Sequence, residues 1–288
     1  MIQQKILKVL TRIERGQSKI IAHFEVAESN ISVRTAVKQC LAAKKVKLKP
    51  VSRNTLRKHF ASLCEVIGDK SIKSVTTQDI NRWIKSHPDW AAKTQLNNIK
   101  SASSLFAWLV RRGDLARNPC AAVERPKVVF KPVTILSVHE IRQLLFAAKE
   151  KDPALIGYIA LVLFGGLRPT EARECRPEFL HDGKIDLGGE HCKLNDRRLV
   201  DISPQLAAWL AVPGVQIGGH KNLENRLKAL GVKLAKNVLR HSFCSYNLPL
   251  FGEEKTAKMA NNSPQKLRDH YLANVSKEQA KEFAEILP

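Results

Sequence analysis

KIDLGGEHCKLNDRRLVDI, residues 184–202, is the stretch at which the texture of the chain changes. Short alternating runs are broken at Gly188-Gly189 and again at Leu194-Asn195-Asp196. This pattern predicts two or three short strands forming a small antiparallel hairpin sheet. On both sides the apolar residues return to a helical period. Upstream, Ser137 can cap a helix carrying Ile141, Leu144 and Leu145, and a second, apolar helix ends at Gly165-Gly166. Downstream of Ser203 the chain reads helical again. The C-terminal half is therefore expected to be α-rich with one small antiparallel β-sheet.

The N-terminal half is expected to be all helix. Ile2, Ile6, Val9, Leu10 and Ile13 recur at helical spacing. Residues 52–67 put Leu56, Phe60, Leu63, Cys64 and Ile67 on one face, with Gly68 ending the helix. Thr77 can cap a short helix with Ile80, Trp83 and Ile84. Residues 91–112 form a long amphipathic pattern with Leu96, Ile99, Phe106, Leu109 and Val110, closed by Gly113. Residues 124–132, ERPKVVFKP, have two prolines, three cations and no helical period, and read as a linker. Three segments follow: a helical domain over 1–123, the linker over 124–132 and a mainly α domain over 133–288.

Charge narrows the function. The net charge is +21, and residues 1–132 hold 26 Lys/Arg against 9 Asp/Glu, while 133–288 hold 22 against 18. An excess concentrated in one half suits a polyanion, and nucleic acid is the commonest one. A composition of 44% hydrophobic and 26% charged residues is that of a globular protein. The longest apolar stretch, 155–167, falls short of the roughly 20 residues a bilayer requires. The N-terminal segment has charges among its apolar positions and is no signal peptide, so the expectation is a cytoplasmic protein with no membrane partner. The six cysteines form no CxxC pair, which points to reduced structural thiols and no metal site.

Of the three tyrosines, Tyr158 lies in the apolar run IGYIALVLF, and Tyr246 continues a stripe from Leu239 and Phe243, so both read as core. Tyr271 ends QKLRDHY, a polar helix begun by Ser263-Pro264, and reads as available to react. Three basic residues precede it in order. Arg168 stands in GGLRPTEARE, at a glycine break before a helix that Pro169 can begin. Lys193 stands in CKLNDRRLVDI, and Arg240 in VLRHSF.

This order of Arg, Lys, Arg and a late Tyr resembles the tyrosine recombinase (phage integrase) family, whose arginines sit in TGLRxxE-like and HxLRHS/T motifs. The resemblance covers essentially the whole chain. Residues 52–123, ending in LFAWLVRRGDLARNP, look like the helical core-binding domain, and residues 133–288 like the catalytic domain. It implies that Arg168 and Arg240 clamp the non-bridging oxygens of a DNA phosphodiester, that Lys193 protonates the leaving 5′ oxygen, and that Tyr271 attacks phosphorus. The product would be a 3′-phosphotyrosyl link, made without cofactor or metal. Glu171 would orient an arginine, and Arg197 and Arg198 would touch backbone phosphate or solvent. Double-stranded DNA is the implied partner, bound by a homotetramer that is a monomer or weak oligomer when free. The final segment carries an S-x-x-Q capping box, Ser276 and Gln279, before a helix that would pack either on its own domain or on a neighbour.

Two positions depart from the family. The histidine usual three residues before the second arginine is Asn237, and the one usual in an LGHS motif is replaced in KMANNSP by Asn261. Asparagine can donate to a phosphate oxygen but does not titrate near neutrality. His241, four residues past Asn237, is a candidate substitute. The departures leave an alternative open: a catalytically impaired relative that binds DNA as a regulator or accessory protein.

Overall fold

The computed structural model describes residues 31–46, 48–129, 133–192, 197–232, 234–271 and 275–288. The helix expected over Ile2–Ile13 and the residue Lys193 lie outside these. The chain divides into two compact units, Met1–Val129 and Phe130–Pro288.

The described part of the first unit is helical: α1 (Val33–Lys44), α2 (Pro50–Ile67), α3 (Thr77–Lys85) and α4 (Ala92–Arg112). Their apolar faces meet in a core that includes Val33, Cys40, Phe60, Leu63, Ile67, Ile80, Trp83, Ile99, Phe106 and Leu109. The sequence passed over α1, whose sparse apolar positions Val33, Val37 and Cys40 are nevertheless buried. Thr76, not Thr77, caps α3, in a reciprocal capping box with Asp79. Gly68 ends α2 in right-handed geometry; its need is closeness, since a Cβ there would lie 2.3 Å from the Cys64 carbonyl. Gly113 closes α4 with φ +84°, the left-handed cap expected of it.

The second unit is built on α5 (Val138–Lys151) and α6 (Ala154–Leu163), the latter buried from Leu155 to Leu163. Then follow α7 (Pro169–Glu174), β1 (Leu180–His181), β2 (Lys184–Leu187) and β3 (Arg198–Asp201). The sheet is antiparallel in the order β1-β2-β3, with Ile185 opposite Val200 and Leu187 opposite Arg198. Asp182 and Gly183, both at positive φ, make the two-residue turn from β1 to β2. Four more helices follow: α8 (Pro204–Leu210), α9 (Leu223–Ala229), α10 (Val238–Ala260) and α11 (Pro264–Tyr271). The backbone of α10 leaves helical geometry at Gly252. A last helix, α12 (Lys277–Ala284), opens on the Ser276/Gln279 capping box.

Of the two dockings open to α12, the structure has the one on its own unit. Phe283 stacks on Tyr246 at 4.6 Å and packs against Phe164, while Trp209 Nε1 donates to the Ile286 carbonyl at 3.0 Å. Among the described residues the chain is thus mainly α with one small three-stranded sheet. No helix among the described residues is long and apolar enough to cross a membrane.

Candidate active site

The site is assembled where three turns of backbone converge: the Gly165-Gly166 break, the start of α7 and the end of α10. Gly166 has φ +60°, and a Cβ there would fall 2.4 Å from the Phe243 ring, so only glycine fits. This turn sets Arg168 at the N-cap of α7, with Pro169 in the first turn and Glu171 one turn on. Glu171 is fully buried. Its Oε1 accepts from Arg168 Nη1 at 2.6 Å, and its Oε2 accepts from the Arg168 backbone N–H at 2.8 Å and from Arg198 Nη1. The two guanidiniums and the N-cap amide hold the Glu171 carboxyl below its ordinary value despite burial.

The other wall is the last turn of α10. Asn261 ends it in left-handed geometry, φ +47°, a conformation that favours Gly or Asn. The carbonyls of this turn face outward from the helix end and would otherwise be unsatisfied. Three successive ones are capped by three arginines. Met259 O accepts from Arg198 Nη2 at 2.6 Å, Ala260 O accepts from Arg240 Nη2, and Asn261 O accepts from Arg168 Nη2 at 2.5 Å. Cations at a helix C-terminus also complement its dipole. Gly166 O joins the ring by accepting from Arg240 Nη1 and from Arg198 Nη2.

Three guanidiniums therefore gather around one carboxylate, two of them paired with it and Arg240 held on backbone carbonyls, a local excess of two positive charges in a largely dehydrated place. Arg198 and Arg240 are 5% and 7% exposed. Burial, opposed by Glu171 and reinforced by Arg240 and Arg168, pushes Arg198 down to about 10, and burial likewise lowers Arg240. Both remain charged at neutral pH. Each guanidinium has five N–H groups, so Arg168 and Arg240 retain donors beyond these bonds. Such a cluster can hold a phosphate-type anion with paired hydrogen bonds.

Tyr271 enters from α11. It shares a 2.8 Å hydrogen bond with Nδ1 of His241, the residue following Arg240 on α10. The sequence reading left this tyrosine in polar surroundings. The structure instead buries it to 6% exposure, because Leu267 and Tyr271, one turn apart, form the apolar stripe by which α11 packs on Phe243, Cys244 and Leu248. Burial, with the neighbouring Cys244 thiol, raises the phenol well above its ordinary value, opposed by Arg240. His241 is lowered from 6.5, chiefly by burial and further by Arg240 and His270, so it is neutral at pH 7.

Of the expected residues, Arg168, Glu171, Arg240, His241 and Tyr271 come together. Asn261 joins through its backbone carbonyl. Asn237 does not join: it is an exposed N-cap in left-handed geometry whose side chain makes no capping bond. Lys193 lies outside the described residues. Arg197 pairs at the surface with Asp186, 2.9 Å from Nε, but Arg198, expected at phosphate or solvent, is buried at the centre of the cluster. Strand parity could have found it, because Arg198 alternates with exposed Leu199 and shares a face with buried Val200.

No protein-family model matches the chain. Tyrosine recombinase XerC of Xanthomonas campestris pv. campestris (strain B100) is 24% identical over 273 residues, covering 83% of this chain and 83% of that protein. Tyrosine recombinase XerC of Xanthomonas axonopodis pv. citri (strain 306) is 26% identical over 189 residues, and there the chain spans only 61% of the relative's length. Among solved structures, a lambda integrase dimer bound to a COC′ core site matches with TM-score 0.68 and 12% identity, covering 91% of this chain and 82% of that one. A lambda integrase tetramer bound to a Holliday junction matches with TM-score 0.68 and 12% identity, covering 89% and 83%. The unit shares with these structures a mainly helical fold carrying a small antiparallel sheet, and in it three arginines gather at one helix end with a late tyrosine beside them. In sequence the chain is similar to tyrosine recombinases, and in fold to integrases.

Proposed function

We propose that this chain is a site-specific DNA recombinase that cuts and rejoins strands through a covalent 3′-phosphotyrosyl link to Tyr271. The observation that carries the reading is the hydrogen bond between Tyr271 and neutral His241, beside an arginine cluster with two unneutralised charges. In the reaction, Arg168 and Arg240 hold the non-bridging oxygens of the scissile phosphate and stabilise the charge that builds on them. His241 Nδ1 accepts the phenolic proton as Tyr271 Oη attacks phosphorus. The P–O5′ bond breaks, and Lys193 supplies the proton to the departing 5′ oxygen. Because the phosphodiester energy is kept in the phosphotyrosyl bond, the reverse attack by a 5′ hydroxyl rejoins strands without ATP.

Residues 1–123 serve in this proposal as the DNA-clamping domain, 124–132 as a linker and 133–288 as the catalytic domain. Exposed cations of the helical unit, among them Lys38, Lys45, Arg57, Lys58, Lys93, Lys100 and Arg111, supply sequence-independent attraction to phosphate backbone. The partner is double-stranded DNA, the working assembly a homotetramer on it, and the compartment the cytoplasm. The binding-only alternative is not favoured, because the tyrosine, its proton acceptor and the arginine pair are all retained.

A nicked suicide duplex, carrying the site recovered by sequencing DNA that the protein retains, tests the reading. The wild type is expected to form a covalent adduct stable to denaturant. Tyr271→Phe removes one oxygen and is expected to abolish the adduct while leaving DNA affinity nearly unchanged. An adduct that persists in Tyr271→Phe would overturn the assignment.

A further inference from the structure

Arg198 belongs to neither the expected clamp nor the expected acid, yet it touches every part of the cluster. Its Nη1 meets Glu171 Oε2, the oxygen not used by the Arg168 guanidinium, and its Nη2 spans Gly166 O at 3.0 Å and Met259 O at 2.6 Å. Gly166 O is also an acceptor of Arg240, so Arg198 joins the two clamp arginines through shared acceptors. Its own fork is turned to protein acceptors and its Nε is buried without one.

We propose that Arg198 is a positioning residue for strand cleavage, keeping Arg168 and Arg240 open toward the scissile phosphate; the inference rests on the function proposed above. The physical reason lies in Glu171. A carboxylate beside a lone arginine tends to take it as a two-pronged pair, which satisfies the fork and neutralises its charge. Arg198 occupies the second oxygen, so Glu171 holds the Arg168 side chain by one N–H, with a second on Asn261 O. The remaining donors stay free for phosphate. Arg198 also keeps the excess at two positive charges instead of one. Dehydration and its two like-charged neighbours oppose a charged guanidinium at this place, and Glu171 is what favours it.

The test is a double-mutant cycle in the full-length protein on the suicide duplex, read as single-turnover cleavage rate. Arg198→Met is expected to slow cleavage by roughly tenfold to a hundredfold, less than direct loss of a transition-state donor, and to leave the DNA dissociation constant nearly unchanged. On an Arg168→Ala background the same substitution is expected to have little further effect, because both act on one clamp arginine. Arg198→Lys, which keeps the charge and can reach some of the acceptors, is expected to restore part of the rate. If Arg198→Met does not fold, judged by its melting curve, the cycle is run with Arg198→Lys and the same coupling is expected. A wild-type rate in Arg198→Met, or losses that multiply across the cycle, would overturn the inference while leaving the recombinase reading intact. Failure of the wild type to form any adduct on its own site would overturn that reading, and this inference with it.

Discussion

At the scale of single residues, the proposed proton acceptor is His241 and not the residue at position 237. The family's usual histidine is Asn237, yet that residue sits exposed at the N-cap of α10, whereas His241 holds the Tyr271 hydroxyl one turn on. Burial, Arg240 and His270 hold His241 below 6.5, so it is neutral and able to accept a proton at physiological pH. The pH dependence has a definite sign. Protonation of His241 removes the acceptor, so cleavage is expected to be flat above pH 6.5 and to fall as pH drops through the lowered value. Stability has the same sense, because a histidine buried neutral contributes least once pH falls through its folded-state value. His241→Ala is expected to slow cleavage by about a hundredfold and to flatten the acid limb, as loss of general-base help does. A His241→Ala enzyme with an unchanged acid limb would mean that another group accepts the proton.

At the scale of elements, the sequence exposed what depends on local chemistry. The capping boxes at Ser137 and Ser276, the glycine break before Arg168 and the hairpin texture after Lys184 were all readable from neighbouring residues. What stayed hidden depends on tertiary packing. The burial of Tyr271 follows from α11 lying on α10, and a helix with the polar run QKLRDHY advertises only two apolar positions. The left-handed caps at Asn237 and Asn261 also escaped: both were read for their side chains, while the structure uses their backbones. Asn262, the next residue, has its amide on Ala257 O and so completes the end of α10. The docking of α12 makes a further expectation. Phe283 is 2% exposed, stacked on Tyr246 and packed against Phe164. Phe283→Ala is expected to destabilise this unit by about 3–5 kcal/mol, as removal of a buried aromatic side chain does, and the melting temperature measures it. An unchanged melting temperature with lost assembly on DNA would show that α12 works on a neighbouring protomer instead.

At the scale of the whole molecule, charge is divided by task. The N-terminal residues 1–132 hold most of the +21 excess, and the second unit keeps a small, buried surplus at one point, the arginine cluster. Diffuse surface charge attracts DNA without regard to sequence. Three guanidiniums clustered beside one carboxylate in a dehydrated recess are the proposed holder of a phosphate at one place. The proposed covalent attachment at Tyr271 is the central claim, and the sharpest test of it is to map the adduct. The full-length protein is trapped on the nicked suicide duplex, digested with nuclease and trypsin, and its peptides are weighed by mass spectrometry. The nucleotide mass is expected on the peptide DHYLANVSK, residues 269–277, whose one tyrosine is Tyr271. The same mass on a peptide that lacks Tyr271, or tight binding at the true site with no adduct on any peptide, would contradict it.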